Sequence, residues 1–237
     1  MPASRRGLRA AIAGCRLAIA GLLASGLLAA GCDTLDGVPR AGEPRSLAGD
    51  LATRLEATDA RTYTAVYQIT GGGQATAAKA VDPSRVAYTY PGGKLIMSPA
   101  ELIDCRTSGT ATRCTVTPVA SPDPGPDPAL FAELIKHGMV PPPVVVGLLN
   151  ATALDPDAEV AQRDTTVAGQ HATCVSVAGV DNAAASTFEV CVTTDGVLGS
   201  FIGVVHGTQV ELALTQYQGS VAEDAFTPPA NATIVRR

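Results

Sequence analysis

The side chains in this 237-residue chain whose types could carry chemistry are six cysteines, three histidines and a few glycine-flanked residues. Their spacing decides what they can do. His137, His171 and His206 are scattered, and none sits in a cluster with metal-ligand spacing. Gly199-Ser200-Phe201-Ile202-Gly203 lacks the Gly-x-Ser-x-Gly spacing that a nucleophile elbow needs. Gly71-Gly72-Gly73 lacks the Lys-Ser/Thr that completes a phosphate loop, and it falls between strand-like segments, so it reads as a turn. The residues point to no enzymatic reaction, no metal and no cofactor. They leave the cysteines.

Cys105, Cys114, Cys174 and Cys191 lie in strand-like surroundings, and no Cys-x-x-Cys motif occurs. Four cysteines allow more than one connectivity, but local pattern favours one. Gly109-Thr110 suits a two-residue type II′ turn. With Ser108 and Ala111 as the hydrogen-bonded pair closing it, alternation makes 105/114 a non-bonded pair. Such pairs bring Cα atoms to about 4.5 Å, a distance a disulfide tolerates. Cys174 and Cys191 follow the same logic across the loop Asp181–Ser186. The expected staples are therefore Cys105–Cys114 and Cys174–Cys191, with a redox or metal role as the rival reading.

The remaining cysteines belong to the N-terminus. Residues 1–16 carry Arg5, Arg6, Arg9 and Arg16, and residues 17–30 are apolar or small without a charge. A charged region, a short apolar core and a small-residue site make an export signal, and the core is shorter than the ~20 residues of a membrane span. The ending Leu28-Ala29-Ala30-Gly31-Cys32 resembles the lipobox of bacterial lipoproteins. That resemblance implies a diacylglyceryl group on the Cys32 sulfur, Cys32 as mature N-terminus, and a membrane anchor on the outer face of the cell membrane. Ser4-Arg5-Arg6-Gly7-Leu8 faintly resembles a twin-arginine signal, so the export route stays open. Residues 1–31 thus read as signal, 32–45 as a lipidated flexible tether, and 46–237 as a single domain. Without residues 1–31 the chain holds 13 Lys+Arg against 22 Asp+Glu, a net charge of −9 rather than −5. That acidity excludes a general nucleic-acid binder. A hydrophobic fraction of 46% excludes a disordered chain.

The elements that must position these residues follow from periodicity. Ser46 caps a helical stripe of Leu47, Ala48, Leu51, Ala52 and Leu55 that ends near Thr58-Asp59. Thr62–Thr70 alternates, with Tyr63, Ala65, Tyr67 and Ile69 on one face. Gln74–Ala80, Arg85–Tyr90, Lys94–Met97 and the first cysteine hairpin complete a meander. Ser121–Pro126 breaks regular structure. Asp127-Pro128 opens a helix with Leu130, Phe131, Leu134 and Ile135 as its stripe and Gly138 at C′. Pro141-Pro142-Pro143 precedes Val144–Leu149, which is apolar on every side, and Asp155-Pro156 restarts regular structure. Five strands follow: Glu159–Val167, His171–Val180, Thr187–Thr194, Val197–Val205 and Gln209–Tyr217. The order gives an α+β fold, a strongly curved antiparallel sheet with helices packed on its concave side, rather than two small β domains.

This arrangement resembles the LolA-like half-barrel proteins, and among them the mycobacterial LppX/LprG type of lipoprotein. The resemblance rests on the lipobox, the first helix, the two meanders around central helices, Thr166–Cys174, and the ending Ala225-Phe226-Thr227-Pro228-Pro229-Ala230. The Arg-over-Lys composition suits an actinobacterium. The two cysteine pairs are not general to that superfamily. The resemblance implies a monomeric carrier or presenter of lipid, with no covalent chemistry. Apolar residues that could line its cavity are Tyr63, Tyr67, Tyr88 and Tyr90 on the sheet and Phe131, Met139, Val145, Leu148 and Leu149 on the helices. The same residues could instead plug the half-barrel as its core. The chain would then be an envelope interaction or sensor module with a protein partner.

Overall fold

The computed structural model describes residues 44–119 and 128–237. The signal, Cys32, the tether up to residue 43, the proline-rich break and Asp127 lie outside the described residues. The described part contains three α-helices and twelve strands. Helix α1 (Pro44–Glu56) is followed by β1 (Tyr63–Ile69), β2 (Gln74–Ala80), β3 (Arg85–Tyr90), β4 (Gly93–Met97), β5 (Glu101–Ser108) and β6 (Ala111–Pro118). Helices α2 (Pro128–Lys136) and α3 (Pro142–Leu154) then precede β7 (Glu159–Val167), β8 (Gln170–Ala178), β9 (Phe188–Thr193), β10 (Leu198–Val205), β11 (Thr208–Gln218) and β12 (Thr233–Arg236).

All twelve strands form one curved, unclosed sheet in the order β12-β6-β5-β4-β3-β2-β1-β11-β10-β9-β8-β7. The two meanders meet where β1 pairs with β11, from Thr64↔Gln218 to Ile69↔Leu212. That seam excludes two separate β domains. Every pairing is antiparallel except β12 on β6, which is parallel. The alternation of β1 buries Tyr63, Ala65, Tyr67 and Ile69 on the inner face, where α1, α2 and α3 join them in one apolar cluster. Among the described residues no helix is long and apolar enough to cross a membrane.

Several local features follow from turn chemistry. Gly109 has φ +60° while Thr110 keeps an ordinary φ, the type II′ signature. It closes the hairpin through Ser108↔Ala111 and sets Cys105 opposite Cys114. Ala168-Gly169 and His206-Gly207 both have two successive positive φ values, as type I′ turns require. Gly138 (φ +80°) ends α2 in a Schellman motif: its N–H donates to the Ile135 carbonyl and the Met139 N–H to that of Leu134.

Two expectations are corrected. Helix α1 starts at Pro44, two residues before Ser46, because proline's fixed φ suits a first turn. The tether therefore loses Pro44 and Arg45 to the helix. Helix α3 takes in Pro142 and Pro143 and runs on through Asn150-Ala151-Thr152 to Leu154. Its first turn needs no N–H donors, and it stops where Asp155 adopts the extended conformation favoured before Pro156. The tail adds an element that the sequence did not predict: β12 lies parallel to β6 through Thr233↔Arg113 to Arg236↔Val116.

Candidate functional site

Both disulfides are formed. Cys105–Cys114 and Cys174–Cys191 each join directly opposed residues with Cα atoms 3.9 Å apart. Both lie on the outer face, away from the helices, among buried neighbours. Bonds of this kind persist in oxidising compartments.

The nine apolar residues singled out in the sequence all lie in the inner cluster. Tyr63, Tyr67, Tyr88 and Tyr90 come from β1 and β3, Phe131 from α2, Met139 from the turn after it, and Val145, Leu148 and Leu149 from α3. Phe131 meets Tyr88 edge-on, with ring centroids 6.3 Å apart. Burial pushes the Tyr63 phenol up to about 12 and holds those of Tyr67 and Tyr88 well above their ordinary value. These phenols therefore stay neutral and serve as apolar surface.

Two of the nine reach an open concavity. A cleft of about 380 Å³ opens between α2, α3 and the segment Asn182–Ala184. Phe131 and Leu148 line it together with Pro143, Val144, Gly147, Ala151, Asn182, Ala183 and Ala184. Among the described residues no ionisable side chain lines it, and Asn182 is the one polar side chain there. Its size falls at the low end of small-molecule sites. Gly147 opens it, since nothing lies within 4 Å of where a Cβ on Gly147 would stand. Tyr63, Tyr67, Tyr88, Tyr90, Met139, Val145 and Leu149 do not line it, although they belong to the same inner cluster as Phe131 and Leu148.

The apolar segment behind the triple proline, with Val144, was legible in the sequence, but Gly147 and Ala151 were not among the candidate cavity residues. A helix apolar on every side shows no preferred face from which to read an exposed stripe. The loop residues Asn182–Ala184 carried one signal, a run of small side chains between two strands.

The far end of α2 carries a cluster of charged and aromatic groups. Glu133 approaches Lys136 (3.3 Å), His137 (3.5 Å) and Arg106 (3.8 Å), and Arg106 also pairs with Asp104 at 3.0 Å. His137 lies against Tyr90, ring centroids 5.2 Å apart. Gly92 lies beneath it, and a Cβ there would stand 2.2 Å from the imidazole, so a larger residue would displace the ring. His171 and His206 belong to neither feature: His171 is exposed and His206 sits in the β10–β11 turn. Among the described residues no group of three or more His, Cys, Asp or Glu could hold a metal ion.

A second, larger concavity of about 850 Å³ lies on the outer face of β7–β10. Ala161, Ser176, Ala178, Glu189, Ile202 and Val204 are among its lining residues.

No protein-family model matches this chain, and no curated protein matches it. Solved structures do. The crystal structure of MucB is 15% identical and covers 80% of this chain at a TM-score of 0.50. The chain spans 66% of the length of MucB, just under two thirds. An uncharacterized conserved protein from Thermus thermophilus is 11% identical, with 81% of this chain and 99% of that one covered and a TM-score of 0.47. A DUF1329 family protein from Desulfovibrio piger is 11% identical, with 78% and 98% covered and a TM-score of 0.31. The likeness to MucB is one of fold, the curved unclosed sheet holding helices on one side.

Proposed function

We propose that this chain is a membrane-anchored, extracytoplasmic lipoprotein of the LolA-like kind, close to the LppX/LprG type, that seats an acyl chain or another apolar ligand. The observation that carries this reading is the cleft between α2, α3 and Asn182–Ala184, which has no ionisable lining side chain among the described residues. The protein acts by burial: each CH₂ removed from water contributes about 0.8 kcal/mol, and no bond is made or broken. The ligand's polar end stays in solvent beside Asn182. The sequence Leu28–Cys32 supports the anchor, and the two disulfides suit an exported domain.

The test uses the chain from Asp33 onward, purified and stripped of lipid, and titrated with dansyl-undecanoic acid. Saturable fluorescence enhancement, displaced by unlabelled fatty acid, is expected. A flat titration together with lipid-free native mass spectra of the unstripped protein would sink the reading. Separately, Cys32→Ser in the full chain should move the protein from the membrane fraction to the medium.

A filled-core interaction module with an envelope protein partner is the second reading. It is favoured by the burial of all nine candidate residues, at most 6% exposed.

A further inference from the structure

The two meanders carry matching rows of residues across their outer faces. In the first, Ala78, Ala87, Ile96, Ile103 and Val116 stand side by side on β2 to β6. In the second, Ala161, Ser176, Glu189, Ile202 and Glu211 stand side by side on β7 to β11. Each row lies two residues along the strands from a disulfide, Cys105–Cys114 in one case and Cys174–Cys191 in the other.

The rows differ in cover and in charge. The first is covered by the chain's own tail, which plants Phe226 among these residues and lays Val221, Ala225 and Ala232 against them. Polar contacts accompany this apolar cover: Arg85 of the sheet pairs with Glu223 of the tail at 3.0 Å, and the Lys94 ammonium donates to the Asp224 and Thr227 carbonyls. Among the described residues nothing covers the second row. Ile202 and Val204 are 42% and 47% exposed and line the 850 Å³ groove. The charges are reversed too. Around this groove the sheet supplies Glu159, Glu189 and Glu211, against Arg163, which pairs with Glu189.

We infer that this groove docks an extended segment of a partner protein, laid across the strands as the tail is laid across the first meander. Complementarity sets its chemistry: one large apolar or aromatic side chain seated over Ile202 and Val204, with lysine or arginine beside it. The acidic tail of a second copy, with Glu223 and Asp224 next to Phe226, has the wrong sign for this site. The inference is independent of the inner cleft.

The chain supplies its own probe, a fluorescein-labelled peptide of residues 221–229 carrying Glu223→Lys and Asp224→Lys. Fluorescence anisotropy with the intact domain should give saturable binding that weakens with salt. The unmodified acidic peptide should bind at least tenfold more weakly. Ile202→Lys should cut affinity for the basic peptide at least tenfold, whereas the charge-matched Ile234→Lys, at an exposed site on β12, should leave it unchanged. Glu211→Lys offers a second variant at an exposed position and should weaken binding several-fold. Equal binding of both peptides, equal effects of Ile202→Lys and Ile234→Lys, or no saturable binding would overturn the inference. So would a dimer in sedimentation that Ile202→Lys abolishes, since that result assigns the groove to a second copy.

Discussion

The guanidinium of Arg85 lies over the ring of Phe226, 4.4 Å from its centroid, while the same group pairs with Glu223. This stack couples the end of the chain to β3 and lets the tail close one outer face of the sheet. Phe226 is 7% exposed and is the aromatic member of that outer cluster.

Phe226→Ala should therefore cost about 3–5 kcal/mol in equilibrium urea unfolding, the usual range for a buried Phe→Ala change. Limited proteolysis should cut the variant within residues 218–232 first. Glu223→Gln should change little by comparison, because the Glu223 carboxylate is fully exposed and such pairs are weak.

Each disulfide closes a short loop, with sequence separations of 9 and 17. Chain entropy puts the loss of either at about 3 kcal/mol. Replacing both cysteines of a pair by alanine should lower stability by about that amount in denaturant titrations. The two losses should add, since the pairs belong to different clusters. An unfolded sample of the domain that begins at Asp33 should show no free thiol before reduction and four after it.

The cysteine pairing was legible because a two-residue turn fixes parity. Once Gly109-Thr110 is the turn, Cys105 can face only Cys114. Strands β2 and β3 were legible from alternation and the turns that bound them, and Gly138 from its place after an apolar stripe. Other features were hidden for physical reasons. Helix α3 is apolar all round, so neither its length nor its cleft-facing side could be read from a period. The pairing of β12 with β6 joins segments more than a hundred residues apart, which no local pattern encodes. The outer groove rests on Ala161, Ser176, Glu189, Ile202 and Glu211, which become neighbours only when four strand registers are fixed.

Asp155 ties the end of α3 to the loop that walls the cleft. Its carboxylate accepts the Asp181 N–H at 2.8 Å and the Asp157 N–H at 2.9 Å. These backbone bonds, Asp181 first and Asp157 second, hold the carboxyl below its ordinary value. An unfolded Asp titrates near ~3.9, so the stabilisation is fully present above that pH and is lost as pH falls through the lower folded value. Thermal midpoints of the native protein should fall as pH is lowered from about 5 toward 3. Asp155→Asn should be less stable at neutral pH and should lose less over the same interval. An identical acid slope in both proteins would show that other carboxylates control the transition.

Gly147 separates ligand binding from stability. It sits in the interior of α3 with ordinary helical backbone and open space where its Cβ would be. Gly147→Ala should raise stability by about 0.5–1 kcal/mol, because glycine costs that much in a helix interior. Gly147→Leu adds a branched side chain into the 380 Å³ cleft and should occupy the space between Phe131 and Ala183. Its fold should persist, since nothing stands within 4 Å of the new Cβ. Binding of dansyl-undecanoic acid should then drop at least tenfold for Gly147→Leu and much less for Gly147→Ala. The pair is informative because a ligand seated elsewhere would respond to neither. A ligand that needed a mobile α3, rather than an empty cleft, would respond equally to both.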